Sequence, residues 1–151
     1  MYKIELASKA DLATLSQISV ASKMHWGYPK EWWAHWQEDL TVTEKSLQEN
    51  TIHKLVFADS IIGFCAIAAM ENYYEINHLW LLPSYIGQGL GKVLLEESLK
   101  RSIKQSALVK VIADPNAAAF YAKRGFQAID QIESYPKGRF LPVMEKFHAV
   151  S

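Results

Sequence analysis

Three closely spaced glycines mark a strand-to-helix junction in the second half of the chain. Gly87, Gly89 and Gly91 lie between the apolar run 79–82 and the helical pattern 93–104. The first four backbone N–H groups of a helix have no partner within the helix, and the helix dipole adds positive charge there. A helix start preceded by glycines therefore predicts a site for a phosphate-bearing ligand. A glycine-rich turn that binds nothing is the alternative.

The spacing of these glycines excludes the two common nucleotide-binding loops. A dinucleotide motif, G-x-G-x-x-G, would require a further glycine where the chain has Leu94. A Walker loop would require a glycine at Ile86 and a serine or threonine at Val93. The ligand is therefore expected to be a different phosphate compound. A nucleotide-binding protein remains a minor hypothesis, and it would require ATP or NAD to stabilise the fold better than any other phosphate compound does.

The hydrophobic pattern predicts a single domain, residues 1–151, of mixed α and β structure. Strands are predicted around residues 2–6, 55–58, 61–70, 74–82, 108–112, 126–133 and 141–147. Helices are predicted after Ser8, over 30–40, over 43–48, after the glycines and over 114–125. The main order is β-α-α-β-β-β-α-β-α-β-β, a mixed sheet flanked by helices. Leu95, Leu99 and Ile103 recur every four residues and predict the buried stripe of one helix.

Composition excludes several classes of function. Sixteen basic and sixteen acidic residues give a formal net charge of zero, and no basic run indicates a nucleic-acid surface. The apolar run 61–70 is too short to span a bilayer, and the charged N-terminus does not resemble a signal peptide. The single cysteine, Cys65, is expected to be a buried thiol in a cytoplasmic protein. The histidines show no metal-binding spacing, so no metal is expected.

Two segments together resemble the GNAT family of acyl-CoA N-acyltransferases. Residues 86–91 are similar to its [Q/R]-x-x-G-x-[G/A] segment, except that Ile86 stands where Arg or Gln is usual. Residues 114–126 are similar to its N-x-x-A-x-x-[F/Y]-Y-x-x-x-G-F segment, with a slightly compressed alanine spacing. Both motifs occur in the family's order, within a resemblance that covers about residues 55–147. Residues 25–28 and 139–142 also resemble segments of some uncharacterised bacterial members.

This resemblance implies the GNAT fold, with a mostly antiparallel sheet, and acetyl-CoA as the cosubstrate. In the family two central strands splay apart, the pantetheine arm lies between them, and the pyrophosphate lies on the glycine loop. The residues expected to contact the coenzyme are Leu81, Gly87, Gln88, Gly89, Leu90, Gly91, Lys92, Asn116 and Tyr121. Because Ile86 offers no polar group, binding should depend on backbone amides. Lys92 could instead be a solvated lysine, and Asn116 a helix cap.

The resemblance also implies the catalytic groups, Tyr121 and Glu75. A backbone N–H near Leu81 is expected to stabilise the oxyanion. Tyr121 is expected to protonate the departing thiolate, because a phenol with a pKa of about 10 is protonated at neutral pH. The alternative for Tyr121 is packing on the sheet. Glu75 is the first choice of base and His78 the second, on the opposite face of the strand because side chains alternate. The absence of any dedicated protein base is a third option.

The implied function is transfer of an acetyl group to a primary amine of a small molecule or peptide. In the family the N-terminal helices and late strands build the acceptor pocket. Here those segments carry His25, Trp26, Tyr28, Trp32, Trp33, Trp36 and Tyr135, which could line a pocket or form core. A sensor or interaction module that binds CoA with little turnover is the alternative function. Neither the amine nor the oligomeric state is fixed, and a homodimer is one option.

Overall fold

Helices and strands follow the predicted order closely. The computed structural model describes residues 1–150. The five helices are α1 Leu12–Met24, α2 Trp33–Leu40, α3 Glu44–Glu49, α4 Leu90–Ser102 and α5 Ala118–Lys123. The seven strands are β1 Tyr2–Leu6, β2 Thr51–Phe57, β3 Ser60–Ala69, β4 Tyr74–Leu81, β5 Ala107–Ile112, β6 Gln127–Glu133 and β7 Phe140–His148. Short 3-10 turns cover Lys9–Asp11, Lys30–Trp32, Pro83–Tyr85 and Pro115–Ala117.

The seven strands form one sheet in the order β1-β2-β3-β4-β5-β7-β6. All neighbours are antiparallel except β4 and β5, which confirms the predicted mixed, mostly antiparallel sheet. The short helix α3 forms because the Thr43 hydroxyl accepts a hydrogen bond from the Ser46 backbone N–H at 3.3 Å. Strand β2 starts at Thr51, earlier than predicted, because its first residues complete the pairing with β3.

The parallel strands β4 and β5 stay together over only three residue pairs. The last pair joins Ile76 to Val111, and β4 then continues to Leu81 without a β5 partner. The space between the diverging strands is called the gap. Leu82 donates its backbone N–H to Ile62 of β3 at 2.8 Å. Because N–H groups point alternately to the two edges of a strand, the N–H of Leu81 points into the gap.

A bulge in β4 corrects one prediction about the site. Two consecutive residues of β3 pair with Ile76 and His78, which leaves Asn77 as an extra residue. Ile76 and Leu79 therefore both face the core beneath α4. Glu75 and His78 lie together on the other face of β4, so the prediction of opposite faces was wrong. A one-residue bulge reverses the alternation on which that prediction depended.

Both faces of the sheet are covered by helices. On one face α4 and its C-cap residue Ile103 contribute the predicted stripe of Leu95, Leu99 and Ile103, all at most 4% exposed. Burying a leucine side chain fully stabilises the fold by about 1.5–3 kcal/mol. On the other face α1 packs Leu15 against a second cluster of apolar side chains. Over the part of the chain described, no helix is long and apolar enough to cross a membrane.

Cys65 lies on β3 at the centre of the core under α4. Its side chain has no exposed surface, which confirms the prediction of a buried thiol. Burial raises the pKa of Cys65 to about 12. The thiolate is therefore scarce at neutral pH, and Cys65 is a packing residue rather than a nucleophile.

Candidate active site

The glycine loop joins the end of β4 to the start of α4. Gly87 and Gly89 have φ angles of +88° and +80°, in the left-handed region that favours glycine. A Cβ atom at either position would meet no protein atom within 4 Å, so both glycines border open space. Gly89 is the N-cap of α4, and no side chain caps this helix end. The backbone N–H groups of the first turn are thus available to a ligand, as the sequence predicted.

Side chains of the loop contribute less than its backbone. Leu90 is buried in the core, so only its backbone N–H can reach a ligand. Gln88 donates its amide to the carbonyl of Ser84 at 3.2 Å. Lys92 is exposed on the first turn of α4, which suits either a solvated lysine or a partner for phosphate. Both alternatives for Lys92 stay open.

A cavity of about 240 Å³ extends from the loop into the gap, and we call it the loop-side cavity. Its walls are mostly apolar. They include four predicted site residues, Leu81, Gly91, Asn116 and Tyr121, together with Ile86 and Trp26. The other predicted loop residues, Gly87 to Leu90 and Lys92, lie outside its walls.

A second cavity, of about 210 Å³, lies on the other side of the gap, and we call it the charged cavity. Its lining includes Lys23, Trp36, Asp39, His78, Asp114 and Arg139. The two cavities share the lining residues Leu79, Trp80, Asp114, Ala117 and Tyr121. A molecule in each cavity would therefore meet its counterpart beside Tyr121.

Tyr121 projects from α5 to the place where the cavities meet. Its ring is 5% exposed and packs edge-on against Phe126 at 5.4 Å, so it belongs to the core. Its side chain lines both cavities. Burial raises the pKa of Tyr121 above its ordinary value, which keeps the phenol protonated. The packing and proton-donor interpretations of Tyr121 are therefore compatible.

Asn116 does not cap a helix. The cap is Asp114, whose carboxylate accepts the Asn116 backbone N–H at 2.9 Å, so the capping alternative for Asn116 was wrong. The side-chain amide of Asn116 donates to the Tyr28 hydroxyl at 2.8 Å and to Asp114 at 3.1 Å. Its carbonyl oxygen remains available to accept a hydrogen bond at the wall of the loop-side cavity.

The two candidate bases on β4 have different surroundings. The indole N–H of Trp80 donates a hydrogen bond to Nδ1 of His78 at 2.9 Å. The neutral His78 ring therefore carries its proton on Nε2. Burial lowers the pKa of His78 to about 4. His78 is thus a hydrogen-bond donor rather than a proton acceptor near neutral pH. Glu75 lines neither cavity, although its neighbour in sequence, Ile76, lines the charged cavity.

A cluster around Asp114 was not predicted from the sequence. The Asp114 carboxylate accepts hydrogen bonds from Lys23 at 2.5 Å, the Tyr28 hydroxyl at 2.9 Å and Arg139 at 3.3 Å. Lys23 and Arg139 also lie over the Trp36 ring, at 4.4 and 4.9 Å from its centroid. We call these five residues the Asp114 cluster. Its members come from α1, α2 and three loops, so no local spacing could indicate it.

Charge and burial compete within the Asp114 cluster. Burial alone would raise the pKa of Asp114, but hydrogen bonds and the charge of Lys23 bring it below its ordinary value. Burial lowers the pKa of Lys23 despite the nearby carboxylate. For Asp114 the hydrogen bonds and ion pair outweigh the cost of burial, whereas for Lys23 the cost of burial outweighs the ion pair.

The early aromatic residues serve as both wall and core. Trp36 lines the charged cavity and Trp26 lines the loop-side cavity. Trp33 packs edge-on against Trp36 with the ring centroids 5.9 Å apart. Tyr135 stacks on His35 at 3.6 Å, which ties the loop before β7 to α2.

Replacing Asp114 with asparagine is expected to destabilise the fold by about 3 kcal/mol, because removing one partner of a buried ion pair leaves the others uncompensated. The folded-state pKa of Asp114 lies below the ordinary 3.8. Its stabilising contribution is therefore full above that pH and is lost as the pH falls through the lower folded value. Urea unfolding across the acid range measures both effects. An equal loss in Asp130→Asn, on the exposed strand β6, would contradict this role.

Comparison with known proteins shows where this architecture occurs. Residues 14–146 match the family model described as the acetyltransferase (GNAT) domain. A spermidine N(1)-acetyltransferase of Thermoplasma acidophilum is 29% identical over 145 residues, which cover 85% of this chain and 89% of the relative. The match spans most of both sequences.

Solved structures show the same fold at lower sequence identity. The PaiA N-acetyltransferase of Thermoplasma acidophilum, in complex with coenzyme A, superposes with a TM-score of 0.77 at 23% identity, over 98% of this chain and 99% of that one. Naa50 of Arabidopsis thaliana, in complex with a bisubstrate analogue, gives a TM-score of 0.70 at 20% identity, over 96% and 97%. Because the match to the family model covers residues 14–146, most of the sequence, this chain belongs to the GNAT family of acetyltransferases.

Proposed function

We propose that this protein transfers the acetyl group of acetyl-CoA to a primary amine by direct attack while both substrates are bound. The observation that supports it most strongly is the meeting of two cavities in the gap, beside the Tyr121 side chain. One cavity leads to the glycine loop and the other to a charged wall. Such an arrangement holds two reactants in contact, which alone can lower a barrier by about 7–11 kcal/mol.

The loop-side cavity suits acetyl-CoA, which would supply the acetyl thioester. The backbone N–H groups at the start of α4 would bind the pyrophosphate, since Gly87 and Gly89 leave the space before them open. The apolar walls would hold the pantetheine arm between β4 and β5. Leu81 would offer its free backbone N–H, and Asn116 its side-chain carbonyl, to the polar groups of that arm.

The residues beside the thioester can move the protons that the reaction requires. The amine nitrogen forms a bond to the acetyl carbon as the carbon–sulfur bond breaks, and the sulfur leaves with the electron pair. The Tyr121 hydroxyl would donate a proton to that sulfur and regain one from solvent. The proton lost by the amine would pass through a water molecule to Glu75, because Glu75 lies beyond the wall of the charged cavity.

The acceptor is an amine of a small molecule or a peptide. The spermidine N(1)-acetyltransferase relative makes a polyamine one candidate. Thiol release from acetyl-CoA, followed across a panel of amines and peptides, tests the proposed function. Turnover above hydrolysis with at least one amine is expected. If acetyl-CoA stabilises the protein thermally but no amine raises turnover, a CoA-binding module becomes the better interpretation.

Replacing Glu75 with glutamine is expected to lower kcat about 10-fold or more, since base catalysis typically contributes at least that much. His78→Gln should lower kcat much less, because a group with a pKa of about 4 takes up almost no proton near neutral pH. Glu71→Gln, in the turn before β4, is the control. An unchanged kcat in Glu75→Gln would contradict the role of Glu75 as the base.

A further inference from the structure

The inner wall of the charged cavity carries more positive than negative charge. Lys23 and Arg139 both contact the single carboxylate of Asp114, and their side chains are 11% and 12% exposed. The other carboxylate of this cavity, Asp39, belongs to an exposed residue at the rim. Water screens the charge of Asp39 more strongly than the charges of Lys23, Arg139 and Asp114. The inner wall therefore has two cations and one carboxylate, and one positive charge is only partly compensated where few waters can reach it.

Arg139 still has hydrogen-bond donors to offer. Its two hydrogen bonds, to Tyr28 and to Asp114, both come from Nη2, each over 3.3 Å. A guanidinium has five N–H donors in a planar fork that matches the two oxygens of a carboxylate. Within residues 1–150, no nitrogen of Arg139 or Lys23 is among the buried polar atoms that lack a partner. The unused donors therefore keep some accessible surface, on residues that line the charged cavity.

The cavity is also small. Its volume of about 210 Å³ lies below the usual range of about 300–1,000 Å³ for sites of drug-sized ligands. So small a volume favours a small molecule over the chain terminus of a protein.

We propose that the acceptor is a small amino acid, whose carboxylate binds Arg139 and Lys23 while its amine reaches the junction beside Tyr121. This inference depends on the proposed acetyl transfer and narrows its substrate. A carboxylate would balance the charge of the inner wall and use the free guanidinium donors as a bidentate pair. A polyamine such as spermidine would instead place further cations beside Lys23 and Arg139, which like-charge repulsion opposes.

The test compares acceptors that carry a free carboxylate with acceptors that lack one. Thiol release is measured with free amino acids, with the corresponding amino acid amides, with the decarboxylated amines, with spermidine and with a short peptide. We expect kcat/KM for the best amino acid to exceed that of its amide at least 10-fold, mostly through KM. Equal or higher kcat/KM for the amide, for spermidine or for the peptide would overturn the inference and leave acetyl transfer intact. No turnover with any acceptor would contradict the proposed function itself.

Variants test the assignment of the carboxylate to Arg139. In Arg139→Gln the ratio of kcat/KM for the amino acid to kcat/KM for its amide should fall from at least 10 to about 3 or less. Arg101→Gln, which changes an arginine of α4 paired with Glu97 outside both cavities, should keep the preference. Thermal unfolding and CoA binding show whether the Arg139 variant is folded. If it is not, calorimetric binding of the amino acid and its amide to the CoA-loaded wild type decides, and equal affinities would overturn the inference.

Discussion

Replacing Gly89 with valine is expected to weaken binding of acetyl-CoA about 100-fold or more. Gly89 has a φ of +80°, and an L-residue in that region costs about 1–2 kcal/mol. A side chain there would also enter the open space in front of the α4 amides. Losing one or two hydrogen bonds to a charged group costs about 1.5–3 kcal/mol each, and a 100-fold change in Kd corresponds to about 2.7 kcal/mol. Calorimetry with CoA measures the loss.

Gly138→Val separates backbone strain from loss of the ligand site. Gly138 has a φ of +89° and also faces open space, but it lies in the loop before β7. A comparable loss of stability is therefore expected with CoA affinity retained. A folded Gly89→Val protein that binds CoA as tightly as the wild type would contradict the assignment of this loop to the pyrophosphate.

The parts of the fold that depend on local chemistry could be predicted from the sequence. The four-residue spacing of Leu95, Leu99 and Ile103 fixes one face of α4, because a helix turns once in 3.6 residues. The glycines at 87 and 89 adopt the left-handed conformations that such a loop requires. The uncapped start of α4 could be predicted too, since the backbone at a helix start is arranged by the helix itself. The coenzyme contacts expected there stay a prediction.

Features that depend on distant residues could not be predicted in this way. The bulge at Asn77 arises from pairing with β3, and it moves His78 to the same face as Glu75. The bond between Lys23 and Asp114 joins residues 91 positions apart. A lysine at the end of one helix and an aspartate before a proline each look ordinary alone. Only the folded chain brings both residues to one wall of the charged cavity.

Replacing Tyr121 with phenylalanine is expected to lower kcat about 100-fold, within the range of about 10²–10⁴ that a positioned proton donor contributes. Only the hydroxyl is removed, and the ring keeps its packing against Phe126. Thermal stability and CoA affinity should therefore change little. Pre-steady-state and steady-state thiol release with one good acceptor measure the effect on the chemical step.

Tyr85→Phe is the matched control for this hydroxyl. Tyr85 is half-buried and packs near Phe57 at 6.3 Å, but it lines neither cavity. Removing the Tyr85 hydroxyl should leave kcat unchanged. Because burial raises the pKa of Tyr121 above 10, its proton stays in place and wild-type turnover should not fall from loss of the phenol proton below about pH 10. A fall in wild-type kcat near pH 8 that is absent in Tyr121→Phe would mean that the Tyr121 phenol ionises at that pH. That result would contradict the role of Tyr121 as the proton donor.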